Sequence, residues 1–203
     1  HLLPDDDDVT GFTEDEDSTY LTELIVRGKG EAVGKRLGDL PIARRANVTV
    51  TALRRGKTYV RHNVEDEIVA ESDRIICQLN ITELLSLRKS EDYKVGIFRK
   101  GDAGPMGEAL VEATVAPSHP AIGTRLIDIP FLKDLNVRIL GLTRYRNLPR
   151  SDLPNARIHA ADRLVVTGSN RDISRMYQNP NLFGVGQTRA KAFRRDRAPI
   201  AIG

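Results

Sequence analysis

The sequence repeats itself once, at a fixed separation of 89 residues. Sliding residues 21–88 onto residues 110–177 needs no gap and gives sixteen identical pairs over 68 positions. The identical pairs include Glu23 with Glu112, Arg55 with Arg144, Arg61 with Arg150, and Arg74 with Arg163. A fixed internal period predicts two copies of one structural unit, so duplication constrains this fold more than any single motif does.

Each copy has the same order of predicted elements. An opening strand, at 23–26 and again at 112–115, precedes a segment that starts at Gly34 or Gly123 and has apolar residues at helical spacing. We expect the following proline, Pro41 or Pro130, to end or bend that short helix. A β-rich run, a polar turn, an Asp-Arg pair before a final strand, and a closing helix complete the unit.

The expected fold class is therefore α/β (α+β), with two tandem duplicated small domains, each a β-sheet with two helices. Because each copy is small, packing the two together would hide apolar surface that neither covers alone. We expect a pseudo-twofold pair. The predicted boundaries are an acidic linker at 1–19, a first domain at 20–88, a linker at 89–108, a second domain at 109–178 and a basic tail at 179–203.

Composition excludes several classes of protein. The apolar runs have the length of strands, and we expect no transmembrane segment because none approaches roughly 18 residues. The single cysteine, Cys77, lies in such a run and is interpreted as a buried structural thiol. The net charge of +3 and the absence of tryptophan do not favour nucleic-acid binding, and we expect none.

No motif supports an enzyme. Residues 28–36 resemble a phosphate-binding loop, but the second glycine comes one residue late and Arg36 stands where a Ser or Thr hydroxyl is needed. The second copy keeps only Gly123 of that loop, which favours a structural role for the glycine. His62, His119 and His159 lack metal-ligand spacing, so we expect exposed loop histidines and no metal site.

The repeated arginines are the candidate ligand-binding residues. Guanidinium groups at equivalent positions would form symmetric sets suited to bidentate capture of carboxylate or phosphate. The candidates are Arg55, Arg144, Arg61 and Arg150. The favoured alternative is that Arg74 and Arg163 form turn ion pairs with neighbouring acids while the others lie in solvent.

The basic tail is the second candidate functional feature. Five basic residues lie within a short stretch that precedes an apolar segment, namely Arg189, Lys191, Arg194, Arg195 and Arg197. Positive charge beside a membrane span marks the cytoplasmic side. We therefore expect this tail to lie against the inner face of a membrane and to lead toward a membrane segment.

The ordered features of each copy resemble a known family. These features are the strand with a leading glutamate, the Gly-x-x-Leu-x-Asp start of the helical segment, the arginine that closes the second strand, and the Asp-Arg before a strand. Together they are similar to the TrkA C-terminal domain, also called the RCK C-terminal domain. The tandem copies and their flanks resemble the cytosolic insertion of divalent-anion:sodium (sodium/sulfate) symporters.

The resemblance implies a cytosolic regulatory or ligand-sensing domain pair of an ion transporter, either a sodium/sulfate-type symporter or a potassium or other cation system. It implies the transmembrane part of the same transporter and a second copy of the chain as partners, and it allows a small anionic or nucleotide ligand, with a cyclic dinucleotide as one candidate. An acidic linker stands where related regulators have a nucleotide-binding domain, so no cofactor is expected. A constitutive assembly module that binds no small ligand stays open as the alternative.

Overall fold

The chain forms two successive sets of strands and helices. The computed structural model describes residues 18–99 and 109–187. The first set consists of β1 (Tyr20–Val26), β2 (Val48–Arg55), β3 (Thr58–Val60), β4 (Arg74–Leu79), α1 (Ile81–Leu87) and β5 (Tyr93–Val95). The second set consists of β6 (Ala109–Val115), α2 (Pro130–Asp134), β7 (Val137–Thr143), β8 (Arg163–Gly168), α3 (Asn170–Tyr177) and β9 (Leu182–Gln187).

The two sets follow the register of the sequence repeat. β1 and β6 begin 89 residues apart, and the same offset relates β2 to β7, β4 to β8, α1 to α3 and β5 to β9. The prediction that the halves superpose about a pseudo-twofold axis, and the domain boundaries given above, stay predictions. β5 and β9 lie in segments that were predicted as a linker and a tail, so the strands of each half extend beyond the repeat.

One antiparallel sheet contains all nine strands of the described residues. Its order is β3-β2-β4-β1-β7-β8-β6-β9, with β5 pairing beside β7 along the same edge of β1. β5 covers only Leu24–Val26, and Leu21 at the other end of that edge pairs with Leu142 of β7. The α+β class is confirmed, but the halves share a continuous sheet because β5 is too short to cover β1.

Both closing helices begin at a side-chain cap. The Asn80 side chain accepts a hydrogen bond from the amide of Glu83, and the Ser169 side chain accepts one from the amide of Asp172. Each cap satisfies an amide that the first helical turn leaves without a partner. Within residues 18–99 and 109–187, no helix has both the length and the apolar character that crossing a membrane requires.

A short helix ends just before each proline, as the sequence predicts: the 3-10 helices Leu37–Asp39 and Leu126–Asp128 are capped by Leu40 and Ile129. Pro41 begins the 3-10 helix Pro41–Arg44, and Pro130 begins α2. Proline suits a first helical position because the amide hydrogen that it lacks would have no partner there. The predicted helical segment consists of short 3-10 turns after Gly34 and Gly123, whose φ angles of 81° and 85° are left-handed.

The two hydrophobic cores exchange residues across the boundary between the halves. Leu21, Ala52 and Ile76 of the first half pack in the core of the second half. Leu140 and Val165 of the second half pack in the core of the first, with Leu110 against them. Since Leu21 matches Leu110 and Ile76 matches Val165 in the repeat, equivalent positions face the opposite half.

Candidate functional site: a charged interface between the two halves

The face of the first half that meets the second half is apolar at its centre and charged at one side. Directly opposed strand residues place their side chains on one face, and Glu23 and Ala52 both pair with Ile76. Alternation along each strand adds Leu21, Arg74 and Arg54 to that face. The apolar members contact the second core, so the charged members lie beside it.

Glu23 is fully buried on this face. Its Oε1 accepts a hydrogen bond from Nη1 of Arg74 on the neighbouring strand. Among the described residues no donor reaches Oε2, which is also shielded from solvent. Burial raises the pKa of Glu23 to about 7, against the lowering effects of the Arg74 and Arg54 charges. Desolvation of the buried carboxylate, together with the negative charge of Asp152, outweighs the attraction to both arginines.

A second buried carboxylate comes from the other half of the chain. Asp152 lies between β7 and β8, is fully buried, and accepts a hydrogen bond through Oδ2 from Nη1 of Arg54. Its Oδ1 accepts a hydrogen bond of 2.7 Å from the side-chain amide of Asn155. Removing one member of a buried ion pair leaves an uncompensated charge. The packing of the two halves therefore depends on the charges of Arg54 and Asp152.

The interface extends from Arg54 to the protein surface. Nη1 of Arg54 lies 3.5 Å from the hydroxyl oxygen of Tyr59, and the Arg61 guanidinium lies 5.2 Å from the centroid of the Tyr59 ring. Nη1 of Arg61 donates a hydrogen bond of 3.0 Å to the backbone carbonyl of Arg150. Both residues are exposed. Two equivalent arginines of the repeat therefore contact each other where the halves meet.

The repeated Glu–Arg pair of the second half also lies at this interface. Nη1 of Arg163 lies 3.2 Å from Oε1 of Glu112. The Tyr20 hydroxyl donates to Oε2 of Glu112 at 2.8 Å, and Nη2 of Arg163 donates to Oγ of Ser18 at 2.7 Å. Both carboxylate oxygens of Glu112 thus have partners, in contrast to those of Glu23.

Of the four predicted ligand arginines, Arg55 and Arg144 are engaged within their own halves. Arg55 donates two hydrogen bonds to Asp73, and Arg144 donates two to Asp162. The alternative interpretation gave such turn ion pairs to Arg74 and Arg163. That assignment is wrong, because those two arginines reach across to the glutamates of the adjacent strand. Ligand binding by Arg55, Arg144, Arg61 and Arg150 stays a prediction.

The remaining sequence predictions concern the loop histidines and the two charged terminal segments. His119 is buried rather than exposed, and its Nδ1 accepts a hydrogen bond of 3.0 Å from the amide of Ala121. Burial lowers the pKa of His119, which keeps the imidazole uncharged. The basic tail residues Arg189, Lys191, Arg194, Arg195 and Arg197, and the acidic segment before residue 18, lie outside the described residues.

Sequence reasoning missed Arg54 and Asp152. The repeat places Thr143 opposite Arg54 and Asn63 opposite Asp152, so the bridge is present once and leaves no repeated signal. Only a map of contacts between the halves identifies this pair, because 98 residues separate its members.

Comparisons with known proteins agree with part of the sequence analysis. Residues 110–180 match the model of the TrkA-C domain. The chain is also similar to a protein of Synechocystis sp. described as an uncharacterized transporter, with 20% identity over 192 residues. The alignment covers 90% of this chain and 31% of that protein, so the chain spans about a third of the length of the curated relative that it matches. No solved structure matches the chain.

The family match falls on the second half alone. The first half shares the element order and the Arg–Asp turn of the second half, including the same bond from the arginine to a carbonyl thirteen residues along the chain. That a TrkA-C domain also occupies the first half, in tandem, stays an interpretation that rests on the repeat and on these shared contacts.

Proposed function

We propose that this chain is a regulatory, ligand-sensing domain pair of a membrane ion transporter and that it acts at the cytoplasmic face of the membrane. The observation that supports the proposal most strongly is the TrkA-C domain match at residues 110–180, together with a transporter relative that aligns with 90% of the chain. We further propose that the transporter is a sodium/sulfate-type anion symporter or a potassium or other cation system.

The geometry of the interface supports a regulatory role. A ligand biases a protein between two arrangements only if its affinity for them differs. The Arg61 guanidinium bonds to the backbone carbonyl of Arg150 where the halves meet, so a movement of one half changes the distance between these two residues. An anionic ligand that contacts both would bind one arrangement better than the other.

This proposal assigns different roles to the two arginine pairs. Arg55 and Arg144 stabilise turns, because Asp73 and Asp162 already occupy their guanidinium groups. Arg61 and Arg150 bind the anionic or nucleotide ligand, because they are exposed and adjacent. The chain performs no catalysis and transmits the binding event to the membrane part of its transporter.

A constitutive assembly module is the second candidate. It is favoured by the exchange of core residues between the halves, which makes their packing extensive without any ligand. In this function the chain holds transporter subunits together, as a homodimer, and binds nothing small.

Thermal-shift measurements distinguish the two candidates, since a ligand that binds the folded state raises its stability by mass action. The chain would be screened against nucleotides, cyclic dinucleotides, sulfate and phosphate. A ligand-sensing pair predicts at least one stabilising compound, and the effect should disappear in an Arg61→Ala/Arg150→Ala variant.

Arg44→Ala is the matched control, because Arg44 forms an exposed ion pair with Asp39 within the first half. The control should keep the full ligand response. A screen without any stabilising compound would overturn the ligand-sensing function and favour assembly, and a response that survives in the double variant would overturn the assignment of the site.

A further inference from the structure

Glu23 is a buried carboxyl group at the boundary between two packed halves, and one of its oxygens accepts no hydrogen bond from the residues that the structure describes. The other oxygen is bonded to Arg74, and the backbone carbonyl of Glu23 accepts a hydrogen bond of 2.9 Å from the amide of Gly96. Buried carboxylates are costly unless both oxygens are satisfied. The fold therefore retains a charge-bearing group in a place that favours its neutral form.

The charged groups around Glu23 come from three elements. Arg74 on β4 and Arg54 on β2 lower its pKa, and Asp152 between β7 and β8 raises it. Cys77 on β4 lies on the opposite face of the sheet, in the core of the first half, and burial raises the pKa of its thiol to about 12, so it stays uncharged at neutral pH. With Glu23 ionised, two positive and two negative charges balance. With Glu23 protonated, the cluster has a net charge of +1.

We propose that Glu23 is a proton-binding site whose occupancy sets how firmly the two halves of the chain pack against each other. The basis is its position: Leu21, two residues before Glu23 on the same face, lies in the core of the other half, and Asp152 of that half lies in the same charge cluster. Proton binding at Glu23 is a property of the chain itself and is independent of which membrane protein the chain serves.

The direction of the effect follows from linkage. In the packed arrangement the pKa of Glu23 is about 7, whereas its ordinary value is 4.5. If the halves separate enough for water to reach the carboxyl group, its pKa returns toward the ordinary value. A raised pKa means that the packed arrangement binds the proton more tightly, so proton uptake tightens the interface and proton release loosens it.

The size of the effect has an upper bound. From pH 6 to pH 8 the equilibrium for opening the interface should rise by up to about tenfold, if opening restores the ordinary pKa completely. Incomplete hydration of the carboxyl group in the opened arrangement would reduce this factor. Well below pH 4.5 and well above pH 7, the contribution of Glu23 to this equilibrium should no longer change with pH.

Two measurements on the complete chain test the proposal. The first is a carbon-13 NMR titration of the side-chain carboxyl groups, in which the Glu23 signal, assigned by its loss in Glu23→Gln, should change near neutral pH. The second is amide hydrogen exchange at Ile97, whose amide donates a hydrogen bond of 2.9 Å to the carbonyl of Ile139 in the other half. After correction for the intrinsic effect of pH, exchange at Ile97 should rise between pH 6 and pH 8 in the unsubstituted chain and stay constant in Glu23→Gln.

The matched control is Glu112→Gln, at the equivalent position of the second half. Its two carboxylate oxygens already have partners, so this variant should keep the pH dependence at Ile97. A Glu23 signal that changes only near pH 4.5 would overturn the proton site. The titration is made on the unsubstituted chain, and the variant serves only to assign the Glu23 resonance. Should Glu23→Gln fail to fold, Glu23→Met, which also lacks an ionisable group, supplies both the assignment and the second comparison. Equal pH dependence of Ile97 exchange in the unsubstituted and substituted chains would overturn the coupling to the interface.

Discussion

At the scale of single residues, an equivalent Arg–Asp pair stabilises the same turn in each half. Asp73 accepts hydrogen bonds from Arg55 and from the amide of Ala70, and Asp162 accepts them from Arg144 and from the amide of His159. The residue before each aspartate has a left-handed backbone with φ near 65°, although neither Ser72 nor Ala161 is glycine. The three hydrogen bonds to each carboxylate, two from the arginine and one from the amide, offset the strain of that conformation.

Replacing Arg144 with alanine should lower the free energy of unfolding by about 1–3 kcal/mol, because it leaves the fully buried Asp162 without its charged partner. Arg55→Ala should cost less, since the Arg55 side chain is 49% exposed and that of Arg144 is 18% exposed, so water can replace Arg55 more readily. Urea unfolding at pH 7.5 measures both. Arg125→Ala, which breaks an exposed pair, should change stability by no more than about 0.5 kcal/mol.

Equal losses in all three variants would contradict this structural role for Arg144. The same comparison separates turn stabilisation from ligand binding. If a variant unfolds more easily but is still stabilised against heat by an anion, the replaced arginine stabilises the turn and does not bind the anion.

Sequence reasoning identifies a candidate residue when the same residue occurs at the equivalent position of both copies. The pairing of positions 89 apart singled out Arg55, Arg74 and their equivalents before any contact was known. It could not assign their partners, because an arginine can reach several acids that lie close in the chain or on the next strand. The partner of Arg54 is 98 residues away and has no repeated counterpart, so no local pattern reveals it.

At the scale of elements, the strands within the repeat and the closing helices were predictable, whereas the short strands β3 and β5 and the strand β9 in the predicted tail were not. β2, β4, β7 and β8 are segments of six to eight residues rich in apolar and β-branched residues, which local patterns identify. β3 and β5 have three residues each. Such strands form because a neighbouring edge is available to them, and that depends on the tertiary fold.

The connection after β5 depends on a glycine that meets the other half. Gly96 has a φ angle of 92°, and a Cβ atom there would lie 2.3 Å from the carbonyl oxygen of Ile139 on β7. Both the backbone conformation and the contact distance exclude a larger residue. The next amide, Ile97, then bonds to that same carbonyl.

Gly96→Ala should therefore lower the free energy of unfolding by more than about 3 kcal/mol, from a strained backbone and an overpacked contact together. Gly34→Ala is the matched control, with a φ angle of 81° and, among the described residues, no atom within 4 Å of the added Cβ. It should cost only about 1–2 kcal/mol. Chemical denaturation gives both values, and equal losses would contradict the close approach of the connection to β7.

At the scale of the whole molecule, the two halves form one continuous unit. The sheet passes from β1 to β7, and each core contains residues from the other half. The repeat predicts that two like units pack together, because each alone is small. It does not predict that they share one sheet, since that depends on how much of the β1 edge β5 leaves free.

The charged interface is the feature that relates this architecture to the proposed function. Glu23, Arg54 and Arg74 of the first half lie in one cluster with Asp152 of the second, so charge and packing are coupled there. If the chain regulates a transporter, changing this cluster should alter transport. If the chain only assembles subunits, transport should follow the amount of assembled protein.

Ion flux by the membrane transporter to which we propose to assign this chain is the most direct test of the regulatory function. Reconstituted in vesicles, the Asp152→Asn variant weakens the bridge to Arg54, and Arg44→Ala, which breaks the exposed pair with Asp39, serves as its control. We predict that sulfate, sodium or potassium flux changes by about fivefold or more in Asp152→Asn, at unchanged subunit assembly and with an unaffected control. Unchanged flux, or flux that falls only in proportion to the assembled protein, would contradict regulation through this interface.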